Sequence, residues 1–288
     1  MTATLRSLVA EELSQPVDPR VAAMAAAIAA RYGDASRAVL FYGSCLRESQ
    51  LDGLMLDFYL IVSDYDAAYG RGWLARANAL IPPNVFPFHD GALASKYAVL
   101  SEADFHRLNG AETANVSVWA RFAQPSRLVW ASDDAARDRA IDAVTRAAPT
   151  LLGAAMPFAG GGDDLDPWRQ AFALTYSAEL RAERKERSGS IVDTDPERYR
   201  RFLAPALAAV TPGAARASWR RRRIEGKMLS VVRLAKASAT YAGGADYIVW
   251  KINRHAGTTI ELKPWQRRHP LLAAISLLPR LLRSGAIR

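Results

Sequence analysis

A single cysteine, Cys45, stands in this sequence, which excludes an intramolecular disulfide and any cysteine-rich zinc centre. No stretch approaches the roughly 18 apolar residues of a membrane-spanning helix. The opening stretch MTATLRSLVAEELSQP has no long apolar segment and carries Glu11 and Glu12, which argues against a signal or transit peptide. A soluble or surface-bound protein of the reducing cytoplasm is expected. Acids are scarce at one end: residues 216–288 hold only Glu225, Asp246 and Glu261 against 16 Lys/Arg, a net of +13. Residues 1–215 carry a net of −4. The last quarter is therefore aimed at phosphates, whether of a nucleotide, a nucleic acid or an anionic membrane.

Half of the 288 residues are hydrophobic, enough for a globular fold of one or two domains. An Ala-rich helix is predicted over 18–32, with Gly33 closing it. RAVLFY (37–42) and LMLDFYLIV (54–62) read as strands, with a helix or loop between them. Residues 70–81 suit a helix stopped by Pro82-Pro83, and 95–101 and 126–132 read as further strands. Helical patterns cover 102–120 and 131–148, the latter with Ser132 as N-cap. PFAGGGDDLDP (157–167) reads as a linker, and helices dominate beyond it, starting with 168–187.

Residues 40–62, LFYGSCLRESQLDGLMLDFYLIV, break one apolar strand with Gly43-Ser44 and place Asp57 inside the next. A buried strand rejects a carboxylate unless its charge is paired. A strand ending in Gly-Ser and leading into a helix offers backbone N–H groups and a hydroxyl to a phosphate chain. Asp57 could then hold Mg²⁺ against the same phosphates. The bland alternative is a turn glycine beside a polar strand residue.

This arrangement is similar to the nucleotidyltransferase superfamily related to DNA polymerase β, whose usual second acid is replaced here by Tyr59. LFYGSC followed by GLMLDFYLIVSDYDAAY resembles the mitochondrial-type phosphatidate cytidylyltransferases, the translocator-maintenance family. Segments 84–101, 116–129, 174–181 and 230–252 resemble further blocks of that family in the same order. An apolar residue two after the aspartate is usual there, so Tyr59 departs from the superfamily but not from this family. Gln124 stands where the family has lysine, Ala98 replaces a glycine, and Glu179 replaces an aspartate.

The resemblance implies an α+β fold. A nucleotidyltransferase-like α/β domain (1–156) would precede a helical domain (168–250) and a basic amphipathic tail (251–288). It implies that CTP and phosphatidic acid yield CDP-diacylglycerol and pyrophosphate, with Mg²⁺ or Mn²⁺ as cofactor. It assigns Asp57 and Glu179 to the metal and catalysis. Gly43, Ser44, Lys96 and Arg121 fall to the nucleotide, and Arg181, Arg233 and Lys236 to the lipid phosphate. Asp52 lies closer to Asp57 in sequence than Glu179 does but reads as part of a turn. His89 and Cys45 read as structural residues.

Such an enzyme would work peripherally on the inner face of a membrane. Leu271, Leu272, Ile275, Leu278 and Leu282, with Arg280, Arg283 and Arg288, would make an amphipathic contact, and the run Arg220–Arg223 would add charge. No feature points to a protein partner. Two other readings stand beside this one: a nucleotidyltransferase with another phosphate or hydroxyl acceptor, and a non-enzymatic basic nucleic-acid binder.

Overall fold

A computed structural model describes residues 3–47, 51, 53–91, 93–158, 162–179, 191–211, 213, 218–240 and 263–268. The N-terminal part is a mixed α/β unit. Helices α1 (Leu5–Leu13) and α2 (Pro19–Ala30) precede strands β1 (Ser36–Tyr42) and β2 (Met55–Val62). Helices α3 (Tyr65–Tyr69) and α4 (Trp73–Leu80) then lead to β3 (Asn84–Asp90) and β4 (Leu93–Ser101). After α5 (Glu102–Asn109) and α6 (Trp119–Phe122), β5 (Ser126–Ala131) completes a sheet ordered β3-β4-β2-β1-β5. Among the described strands only β2 and β4 run parallel. The rest is helical: α7 (Asp134–Thr145), α8 (Ala147–Ala155), α9 (Asp166–Ala178), α10 (Pro196–Ala208), α11 (Trp219–Thr240) and α12 (Pro264–Arg268).

The period-two alternation of β1, β2 and β4 separates two apolar faces. Val39, Phe41, Phe58, Leu60 and Val99 meet Val21, Met24 and Ile28 of α2. Leu40, Tyr59, Ile61, Ala98 and Leu100 face a larger cluster that takes in α1 and α5 to α10 and ends at Trp219. Buried indoles tie the helices together through their single donor: Trp168 Nε1 donates to the Tyr199 carbonyl at 3.0 Å and Trp219 Nε1 to that of Ala154 at 2.8 Å. Arg198 on α10 donates to Glu12 on α1 through Nη2 at 3.0 Å, and both side chains are buried. It also lies over the rings of Tyr199 and Phe202. Removing either partner would strand a buried charge.

Several predicted elements differ. The segment after Gly43 forms one 3₁₀ turn, Ser44–Arg47, rather than a helix, so no helix dipole supports that loop. Gly33 opens a 3₁₀ turn instead of capping α2. The helix predicted over 70–81 begins at Trp73, because Gly70 at φ 68° has just ended α3. The 102–120 helix stops at Asn109, and a short α6 forms separately. Asp133, not Ser132, caps α7, its carboxylate accepting from the amide of Ala136. α9 ends at Ala178, leaving Glu179 extended, while residues 180–187 of that predicted helix lie outside the described residues. β3 was not anticipated.

Candidate active site

Sheet register sets up the first half of the site. Tyr42 on β1 pairs across to Asp57 on β2, which pairs across to Lys96 on β4. All three therefore share the face turned toward the helical part. The side chain of Asp57 is 25 % exposed, and its Oδ1 lies 3.1 Å from Lys96 Nζ. That contact is an ion pair without hydrogen-bond alignment, and Oδ1 is buried with no hydrogen-bond partner. The paired charge answers how a carboxylate sits inside an apolar strand.

Gly43 follows β1 with φ at +97°, a conformation open to glycine at little cost. A Cβ there would stand 3.4 Å from Asp57 Oδ2. The absent side chain thus leaves Asp57 open toward the turn that begins at Ser44. Cys45 is buried, its Sγ 3.5 Å from the Met55 carbonyl. It packs the turn, as its sequence context suggested.

The second half comes from the helices. Arg121 on α6 donates to the carbonyl of Ser117 and lies 3.7 Å from Glu179 Oε1 at the end of α9. Burial opposes the Arg121 cation, but Glu179, with smaller help from Asp57, holds its pKa above the ordinary value. Arg233 on α11 donates through Nε to the Pro82 carbonyl at 2.9 Å and through Nη1 to Ser117 Oγ at 2.8 Å. Lys236, one turn on, donates to the Ile81 carbonyl. Burial, reinforced by the charge of Arg233, pushes the Lys236 ammonium down to about 7. Burial also lowers Arg233, against the opposing pull of Glu179.

Gly226 makes this docking possible. A Cβ on it would stand 2.2 Å from the Ala178 carbonyl oxygen, so only glycine lets α11 press against the end of α9 where Glu179 follows. Tyr59 is packed between Tyr42 and Phe122, with centroids 5.3 and 5.2 Å away, and burial raises its pKa. Two residues beyond Asp57, β2 thus presents a packed ring and no second carboxylate.

The structure brings Lys96 to Asp57 beside Gly43 and Arg121 to Glu179, with Arg121 also within electrostatic reach of Asp57 and Arg233 of Glu179, while Lys236 lies against Arg233 and the Ile81 carbonyl. Arg181 and Asp52 lie outside the described residues, as does the 269–288 tail. His89 is exposed near the end of β3. Of the Arg220–Arg223 run, Arg222 points inward: it is 1 % exposed, donates to the Thr113 carbonyl at 2.8 Å and lies beside Trp119 and Trp219. Sequence reasoning missed Ser117, Tyr42 and the carbonyls of Ile81 and Pro82. A lone serine and backbone acceptors carry no sequence signal.

Lys96 pairs with Asp57 and Arg121 with Glu179, and Arg233 beside Arg121 adds positive charge, which suits a polyanion. Among the described residues no three His, Cys, Asp or Glu side chains converge as a metal-binding group. The donors fit a hard divalent cation held by one carboxylate, because Asp57 Oδ2 faces the bare side of Gly43 while Oδ1 faces Lys96. Further ligands would come from phosphate and water. Glu179 instead faces Arg121 in this arrangement.

Among the described residues no helix is long and apolar enough to cross a membrane. No family model matches the chain, and no curated protein matches it. Among solved structures it is similar to a nucleotidyltransferase-like protein from Exiguobacterium sibiricum 255-15, 12 % identical over 92 % of this chain and 92 % of that one, with a TM-score of 0.30. A superposition at that level assigns no residue of this chain a role.

Proposed function

We propose that the protein is a nucleotidyltransferase that joins a cytidylyl group from CTP to the phosphate of phosphatidic acid. The observation that carries the reading is the carboxylate of Asp57 open toward the Gly43-Ser44 turn, with Lys96 beside it. The turn receives the triphosphate, which approaches the backbone where Gly43 has no side chain. Lys96 and Arg121 neutralise its charge. Asp57 would hold Mg²⁺ or Mn²⁺, which when bound screens the phosphates and steadies the pyrophosphate as it leaves. Arg233 and Lys236 hold the acceptor phosphate, and Glu179 keeps Arg121 in place as its counter-charge.

The acceptor is a phosphate monoester whose second pKa is about 6, so it reaches neutral pH already ionised. One of its oxygens bonds to the α-phosphorus as the bond to the β-phosphate bridging oxygen breaks. No protein base is needed, and the site contributes positioning and charge.

The test is pyrophosphate release from each of the four nucleotides with Mg²⁺ and phosphatidate vesicles. Wild type should prefer CTP and require the lipid. Asp57→Asn should lower the rate about a hundred- to a thousandfold. Silence with all four nucleotides would discard the reading.

A further inference from the structure

The outer face of α11 carries a row of exposed apolar side chains: Ile224 at 53 %, Met228 at 64 % and Val232 at 40 % exposure. Spaced four residues apart, they form a single stripe along the helix. Arg220, Arg223 and Lys227, all exposed, flank it. Arg221 is exposed as well, paired with Glu225 one turn on. Isolated exposed apolar residues need no explanation, but a stripe bordered by cations on one helix does.

Arg233 comes nine residues after Ile224, so at about 100° per residue it leaves the helix on the opposite side. The inner face bears Arg222, Gly226 and Arg233, which contact the Thr113 loop, the end of α9 and the Pro82 carbonyl. One helix thus presents phosphate-binding cations inward and a cationic, apolar surface outward.

We infer that the Ile224–Met228–Val232 stripe and its basic border are the surface by which the protein lies on an anionic bilayer. A bilayer surface supplies both things this face lacks, an apolar layer for the stripe and anionic phosphates for the cations. A second copy supplies only the first. A two-fold pairing of this face would set Arg220, Arg223 and Lys227 against the same residues of the other copy. Charge complementarity therefore selects lipid. The inference deepens the functional reading above, on which the identity of the substrate lipid rests, while the surface is tested without turnover.

The test is co-sedimentation of the full chain with vesicles of equal parts phosphatidylcholine and phosphatidylglycerol, against vesicles of phosphatidylcholine alone. Wild type should bind the anionic vesicles selectively. Two double variants, Ile224→Ser with Met228→Ser and Arg223→Ser with Lys227→Ser, should each weaken binding about tenfold or more. These side chains are exposed, and circular dichroism checks that the variants fold. Binding unchanged in both variants, or no binding by wild type, overturns the inference. So does a wild-type dimer in light scattering that the apolar variant converts to monomer, since the face would then belong to a second copy. If vesicle binding is lost as expected but no nucleotide is turned over, the surface stands and the proposed reaction falls.

Discussion

Arg233 Nη1 donates to Ser117 Oγ across 2.8 Å, and the Ser117 hydroxyl donates in turn to Asn115 Oδ1, also 2.8 Å away. A hydroxyl has one proton, so the direction of the chain is set: guanidinium to serine to asparagine amide oxygen. Ser117→Ala removes the middle acceptor and leaves an Arg233 donor unmatched. Stability should fall by about 1–3 kcal/mol, measured by urea denaturation. The KM of the proposed reaction should rise more than kcat falls. An unchanged denaturation midpoint would sink this account of the link.

Gly43 tests the turn. At φ +97° an added side chain is strained, and its Cβ would press on Asp57 Oδ2. Gly43→Ala should destabilise by about 1–3 kcal/mol and weaken nucleotide binding, measured by fluorescence titration with a CTP analogue. Retained affinity would place the triphosphate elsewhere.

Gly226→Ala probes the helix contact. The added carbon meets backbone, not a movable side chain, so α11 or the end of α9 must shift. A loss of about 1–3 kcal/mol follows. Activity should drop further than that loss explains, because Glu179 and Arg233 lie on the two sides of the contact. Thermal unfolding beside single-turnover kinetics separates the two effects.

The burial of Lys236 makes stability, and with it the proposed ligand binding, depend on pH. Its folded value of about 7 lies below that of an unfolded lysine, about 10.4. Below pH 7 both states are protonated, and the native protein bears the full burden of a buried ammonium. Between the two values the unfolded chain holds more protons, so stability rises with pH. An anion beside Nζ reverses the depression. CTP or phosphatidate binding near pH 7.5 should therefore take up protons, seen as buffer-dependent heats in calorimetry. Lys236→Met should abolish that uptake, and equal uptake by the variant would assign the proton to another group.

Two residues of the candidate site were legible because they are chemically conspicuous. Asp57 interrupts an apolar run, and Gly43 breaks a strand. Lys96, Arg121, Glu179, Arg233 and Lys236 came only from ordered resemblance, since a surface cation and a site cation look alike in sequence. The strands β1, β2, β4 and β5 were readable from their apolar runs. β3 was not, because Pro87 and His89 disguise it. Proline is tolerated there because β3 is the sheet's edge. The Arg220–Arg223 run misled in part, for Arg222 turns inward on a helix whose period places it there. The 102–120 segment also misled: Asn109 and Gly110 end α5, and the irregular stretch beyond them carries Ser117 to Arg233.

The Glu12–Arg198 pair joins residues 186 positions apart. During synthesis α1 emerges long before α10, so the partner that neutralises Glu12 follows only 186 residues later. Until then Leu8, Val9 and Leu13 of α1 lack the part of their cluster that α10 supplies. The packing of α1 is thus completed in two stages, first against β5 and α7 and only later against α10.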